Sequence, residues 1–214
     1  MSHQSQKARQ VIDTALQTVL ITAFEPFGLS EMNASERILS AVIADEHAFA
    51  NGILPVRWAS IRNVIDRLIL ETCPEFIIML GEAGPDEQIQ LEQLAHNEDD
   101  FQIPDNDGLT ITRSTISTTG KDIYSCRVNL DDIVNVVPTA AEFSPVSVSL
   151  NAGKFLCNHA YYYVLDTYPG IPCLFIHVPA WRPNSPEEML NRAARTVRFV
   201  VNRFTAILPL LTKQ

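Results

Sequence analysis

Along the chain, short solid apolar runs alternate with longer one-sided stripes. Thr18 to Ala23 (TVLITA) is apolar and β-branched and is ended by Pro26 and Gly28, and Phe76 to Leu80 (FIIML) ends in the same way at Gly81. Runs of this kind, apolar on both faces and closed by breakers, predict buried strands. Val146 to Leu150 (VSVSL) and Cys173 to Val178 (CLFIHV), the latter bounded by Pro172 and Pro179, add two further strands. Between them the period changes. Ile61, Val64, Ile65 and Leu68 recur on one helical face, with Ser60 placed to cap the first turn. The clearest helix begins at Ser185-Pro186-Glu187-Glu188, where the serine can accept from the N3 amide, proline suits N1 and Glu188 can close a capping box. Leu190, Ala193, Ala194, Val197, Val201 and Phe204 mark its buried stripe, and Arg192, Arg195, Arg198 and Arg203 predict a solvated or oligomer-forming face. Strands alternating with helices predict an α/β fold, a largely parallel central sheet with helices on both faces.

With 214 residues the chain is long enough for one substantial core, so residues 18–214 are read as a single α/β domain. Residues 1–17 form an extension whose Val11, Ile12, Ala15 and Leu16 predict a short helix. A formal charge of −9 without any basic stripe excludes a general nucleic-acid binder, which must displace counterions from phosphate. The amino-terminal segment lacks the apolar core of a secretory signal, and no run of about 18 apolar residues occurs, so a cytoplasmic protein without a membrane partner is expected. Cys73, Cys126, Cys157 and Cys173 have no metal-ligand or CxxC spacing and read as reduced thiols. Asp105-Asn106-Asp107-Gly108 does not make a calcium loop, since an EF-hand register would put Ile103 first and Ser114 twelfth. Neither Walker A nor GxGxxG is present.

The segment SLNAGKFLCNHAYYYVLD carries the most chemistry. A strand meets the breaker Asn151-Ala152-Gly153, and a helix follows with Cys157 near its amino end. Exposed amides and the positive end of the macrodipole favour a thiolate there, the nucleophilic form. A free cysteine is also commonly a small buried hydrophobe, and this segment alone leaves both readings open. His177 closes the apolar run CLFIHV at the carboxyl end of a strand, the edge where open α/β sheets place their chemistry. It can serve there as a general acid–base or as a hydrogen-bonded structural residue. Glu92 can hold an imidazole in its useful tautomer, yet it lies in an acidic stretch whose members are mostly solvated.

Four segments together, in order, resemble the pyroglutamyl peptidase I family: VLITAFEPFG with Asn33-Ala34-Ser35, IIMLGEAG with LEQLAHN and IPDNDG, AGKFLCN, and FIHVP. The resemblance implies a three-layer α/β sandwich and a cysteine peptidase that removes N-terminal pyroglutamyl groups from peptides or small amides. It implies Cys157 as nucleophile, His177 as proton shuttle and Glu92 as its orienting carboxylate, with no metal or organic cofactor, and a homotetramer. Phe24 and Phe27 are then the candidates for sandwiching the lactam ring. The chain departs from the family at Gly81-Glu82-Ala83-Gly84-Pro85-Asp86, where the family usually has Gly-Gln-Ala-Gly-Gly-Arg. Glu82 is thus a carboxylate in a substrate-binding position that is usually an amide. Gln102 stands in place of the arginine implicated in oxyanion stabilisation, and can still donate a hydrogen bond. Ala23 and Leu29 replace glycines of the aromatic loop, which predicts an altered backbone wherever those glycines need positive φ. Two further readings follow from the departures: a diverged cysteine hydrolase or acyl transferase with another small amide or thioester as substrate, and a ligand- or partner-binding relative without turnover.

Overall fold

The computed structural model describes residues 18–44, 49–83, 88–182 and 184–211. The helix read from Val11 to Leu16 lies outside the described residues. Four strands follow largely as the apolar runs predict, β1 (Val19–Phe24), β3 (Phe76–Glu82), β9 (Val146–Ser149) and β10 (Cys173–Val178), and a fifth, β2 (Phe49–Leu54), is one that the runs did not mark. A sixth, β4 (Ile89–Glu92), completes a sheet of order β2-β1-β3-β10-β4-β9. All neighbours are parallel except β10 and β4, which are antiparallel. Two small antiparallel pairs stand beside it, β5 (Leu94–His96) with β8 (Ile123–Ser125) and β6 (Asp99–Phe101) with β7 (Ile111–Ser114).

Side chains alternate across a strand, and this period sorts the core into two layers. Val19, Ile21 and Ala23, Phe76, Ile78 and Leu80, and Leu174, Ile176 and Val178 pack with α1 (Ala34–Ile43) and α5 (Glu187–Leu211). The short α3 (Asp131–Val134) contributes Ile133 to the same layer. Leu20, Phe24, Ile77, Met79, Cys173 and Phe175 instead pack with α2 (Ile61–Thr72) and α4 (Leu156–Thr167). The result is helices on both faces of one sheet. Gly81, Glu92 and His177 share the parity of Met79, Gln90 and Phe175 along their strands, so all three face the α4 layer. No helix among the described residues is long and apolar enough to cross a membrane.

Three local expectations are corrected. Ser60 stands at the N-cap of α2 but makes no side-chain cap bond. The Ser185 hydroxyl accepts from the Arg182 amide at 3.0 Å, bracing the turn that precedes α5 instead of the helix's first turn. The arginines of α5 do not form a free face: Arg192, Arg195 and Arg198 donate to the carbonyls of Phe143, Glu142 and Ala41 at 3.0, 2.6 and 2.8 Å. They join α5 to the chain before β9 and to the end of α1, and Arg203 remains exposed.

Candidate active site

Cys157 is the second residue of α4, whose N-cap position is taken by Phe155 without a side-chain cap bond. The first backbone bond of the helix runs from His159 N–H to the Phe155 carbonyl at 3.1 Å, so the amides of Leu156, Cys157 and Asn158 open the helix without partners within it. They bring the positive end of the helix dipole to the sulfur. The Asn158 side chain anchors this end: its oxygen accepts from His96 N–H at 2.9 Å, and its amide donates to the carbonyls of His96 and Glu98 at 2.8 and 3.0 Å. One residue on, His159 Nε2 accepts from Arg62 Nε at 2.9 Å, which leaves Nδ1–H to donate to Asp99 at 2.7 Å. Buried hydrogen bonds on both residues therefore fix where the helix begins.

His177 arrives from the sheet. Its Nδ1 lies 2.7 Å from Glu92 Oε1, and its other partner is the Cys157 sulfur. Glu92 is fully buried and His177 nearly so. The antiparallel register pairs His177 with Gln90 and Phe175 with Glu92, making Glu92 and His177 diagonal neighbours on one face, within reach of a long carboxylate side chain. Burial works against a charge on the imidazole, but the hydrogen bonds and negative charge of Cys157 and Glu92 outweigh it and raise its pKa from 6.5 to about 10. The balance favours an imidazolium between two acceptors.

Room for the sulfur comes from Gly81, the β3 residue paired with His177. A Cβ built there would stand 2.9 Å from Cys157 Sγ and 2.7 Å from Phe175 Cζ. Alanine at this position must displace the sulfur or the ring wall, and displacements of about 1 Å near reacting atoms cost on the order of a hundredfold. Gly81→Ala is accordingly expected to lower kcat by roughly that factor while the protein still folds, as read by steady-state kinetics beside circular dichroism. Wild-type kcat in a folded Gly81→Ala protein would refute this account of the glycine.

The sulfur opens into a cavity lined by Phe24, Phe27, Asn33, Val56, Glu82, Phe155 and Leu156. Its aromatic wall is continuous: Phe27 and Phe155 have centroids 5.9 Å apart, and Phe101 meets Phe155 edge-on at 4.8 Å. Polar bonds hold this wall in place. Asn33 caps α1 by accepting from Ser35 N–H at 3.0 Å, and Ser35 Oγ accepts from Phe24 N–H at 3.1 Å. Glu25, between the two phenylalanines, pairs with Arg57 and accepts from Val56 N–H and Asn106 Nδ2 at 3.0 and 2.8 Å. Asp105 accepts from the amides of Trp58, Asp107 and Leu109, each at 2.9 Å, so the Asp-Asn-Asp-Gly segment is a clamped turn. The replaced glycines of the aromatic loop impose no strain. Among the described non-glycine residues, only Cys73 and Arg113 have positive φ, and Gly28, at φ +63°, takes the left-handed position in this loop.

The sequence pattern of the pyroglutamyl peptidase family matches residues 17–197. The chain belongs to the pyroglutamyl peptidase family. It is 39% identical over 168 residues to a pyrrolidone-carboxylate peptidase of Thermococcus onnurineus (strain NA1), an alignment covering 75% of this chain and 82% of the relative. The solved pyrrolidone carboxyl peptidase of Thermus thermophilus superposes with a TM-score of 0.75 at 30% identity, over 86% of this chain and 98% of its own. That of Thermococcus litoralis gives 0.79 at 27% identity, over 92% and 96%. The three-layer sandwich and cysteine-peptidase class thus belong to this chain as a member of the pyroglutamyl peptidase family.

Within that family frame, Cys157, His177, Glu92, Phe24, Phe27 and Glu82 come together, whereas Gln102 does not join them. Its side chain is exposed, donating to Thr112 Oγ1 at 3.2 Å, and it does not line the cavity. Glu82 binds the amino end of α1 through Ala34 N–H at 2.7 Å and meets Arg182 at 3.2 Å, so its carboxylate is compensated by a helix dipole and a cation. Residues 84–86 of the divergent segment lie outside the described residues. Phe155, Asn158 and Gly81 were not singled out in the sequence. The Phe155-Leu156-Cys157-Asn158 run held the signal for two of them, which flank the nucleophile at the helix start: Phe155 lines the cavity and Asn158 anchors the helix end to His96 and Glu98.

Proposed function

We propose that the chain cleaves N-terminal pyroglutamyl groups from peptides, with Cys157 as nucleophile, His177 as general acid–base and Glu92 as the carboxylate that orients it. The observation that carries this reading is the position of the Cys157 sulfur, at the amino end of α4, beside His177 and open to an aromatic cavity. A flat, uncharged, amphipathic lactam suits phenylalanine walls with few polar groups. Phe24 and Phe27 would contact the ring faces, and Glu82 would accept its N–H with a lone pair left over from Ala34 and Arg182.

With the imidazolium favoured, sulfur enters the reaction as thiolate and attacks the carbonyl next to the ring. The C–S bond forms as the carbonyl π pair moves onto oxygen. The amide opening α4 at Cys157 is a better placed donor for that oxygen than Gln102, which is engaged elsewhere. Collapse expels the amine, to which His177 Nε2 gives its proton, and leaves a pyroglutamyl thioester. The neutral imidazole then takes a proton from water, hydroxide adds to the thioester, and pyroglutamate leaves as the thiolate–imidazolium pair is restored. The four free thiols are in keeping with a reducing, cytoplasmic setting, and a homotetramer, to be checked by light scattering, completes the family reading.

The test is release of a fluorescent amine from pyroglutamyl, prolyl and acetyl amides under reducing conditions, with Cys157 alkylation followed by peptide mapping. Turnover confined to the pyroglutamyl amide supports the reading. Selective alkylation of Cys157 with turnover only of other acyl groups would replace it with the diverged hydrolase, to which the Glu82 carboxylate and the detachment of Gln102 point. An unreactive thiol without any turnover would leave a binding protein.

A further inference from the structure

Tyr161 stands one helical turn beyond Cys157 on α4 and is completely buried. Its hydroxyl donates to the main-chain carbonyl of Glu92 at 3.0 Å, the residue whose carboxylate holds His177. Its ring meets Phe175 at 5.7 Å, and Phe175 lies 4.9 Å from the His177 ring and also packs over Gly81 beside the sulfur. Among the described residues, no other side chain of α4 has a hydrogen bond to Glu92. The titratable groups around it are Cys126, Cys173 and Glu92, with Cys126 as the hydroxyl's second neighbour.

We infer that Tyr161 is a positioning residue, which through its hydroxyl fixes the Glu92–His177 pair at a set distance from the helix that carries Cys157. The two halves of the site arise from different layers, the acid–base pair from the sheet and the sulfur from the helix covering it. Hydrophobic packing alone fixes such a layer spacing without direction, because apolar contacts are tolerant of small slides. A hydrogen bond to the last residue of β4 is directional, and being fully buried it has no water to replace it. The phenol therefore ties the helix that carries Cys157 to the strand that carries Glu92. This inference rests on the proposed roles of Cys157, His177 and Glu92.

The test is Tyr161→Phe, which keeps the ring and removes the tie, made in wild type and in Glu92→Gln. Loss of one neutral hydrogen bond that acts on the reacting geometry is expected to lower kcat roughly three- to tenfold, leaving KM unchanged. The alkaline limb of kcat/KM should move to lower pH as Glu92 holds the imidazolium less well. In the Glu92→Gln background, where the orienting carboxylate is gone, the same change should alter kcat less than about twofold, the non-additivity of residues acting through one group. Equal losses in both backgrounds, or a wild-type kcat and pH profile in Tyr161→Phe, would overturn the inference and leave Tyr161 as core. Should Tyr161→Phe fold poorly, Tyr161→Met tests the same loss of hydroxyl in a more adaptable side chain. The pH dependence of Cys157 alkylation provides a readout without turnover. If pyroglutamyl amides are not substrates yet the alkylation profile shifts in Tyr161→Phe, the positioning role stands while the substrate assignment falls.

Discussion

Serine in place of Cys157 is expected to lower kcat for a pyroglutamyl amide by roughly five orders of magnitude, comparable to loss of a nucleophile in other hydrolases. The oxygen fits where sulfur fits, so the cavity and the fold should persist. What fails is activation. In the variant His177 loses the hydrogen bond and charge of the sulfur that help hold its proton, and an alcohol keeps its own proton far more tightly than a thiol does, so little of the attacking form is made. A site that stabilises a thiolate–imidazolium pair is thus poorly matched to a hydroxyl nucleophile. Steady-state kinetics on protein free of wild-type carry-over would measure the loss. Retention of more than about one part in a hundred of the activity would mean that another group attacks the substrate.

Replacing Glu92 by glutamine is expected to cost about three to four orders of magnitude in kcat, by comparison with amide replacement of an orienting carboxylate in a catalytic triad. The carboxylate meets His177 at 2.7 Å with no solvent access, so an amide there can turn its NH₂ toward Nδ1 and hold the ring in the opposite tautomer. The sign of the pH effect follows from the raised His177 pKa. The alkaline limb reports loss of the imidazolium proton, and with one of its two supporting acceptors gone the limb should move to lower pH. The same group contributes folding stability that is fully present below the unfolded value of 6.5 and lost as pH rises through about 10. His177's share of the stability difference between variant and wild type should therefore be largest below pH 6.5 and shrink toward pH 10. An alkaline limb unmoved in Glu92→Gln would refute the orienting role.

How far these residues could be read in advance differs with the range of the interaction that defines them. The β10 run Cys173–Val178 is delimited by its own prolines, and Cys157 at a helix start is set by the breaker four to six residues before it. Both depend on local physics, and both were legible. Only the family resemblance pointed to Glu92, whose own setting does not mark it, because its neighbours in sequence are acidic and its burial depends on β10 and β9, more than fifty residues away. β4 itself is likewise unmarked, four residues long and antiparallel to β10, with too little sequence for a period to show. The arginines of α5 were read as a solvated or oligomer-forming face because a helical stripe reports only its own polarity, not the carbonyls that another segment will bring to it. Ser60 and Ser185 show that a capping residue type marks a helix start without determining where its hydroxyl binds. In Gln102 the limit is chemical. A shorter, uncharged side chain settles on Thr112 and the Ile111 carbonyl, and no motif indicates which partner a flexible amide will choose.

The antiparallel pairing of β4 with β10 gives the site an unusual sensitivity to chain length. Glu92 reaches His177 only because both lie on the same side of the pleat, and a single residue gained or lost between Ile89 and Glu92 would exchange the sides. Leu91 or Gln93 would then be offered to the imidazole, although the cavity, the cysteine and the remaining sheet could stay as they are. Point substitutions in this strand grade the activity, whereas a change of one in its count would switch off the acid–base pair at a stroke. Variation in length along this lineage should therefore collect in the loops around β4 and spare the strand itself.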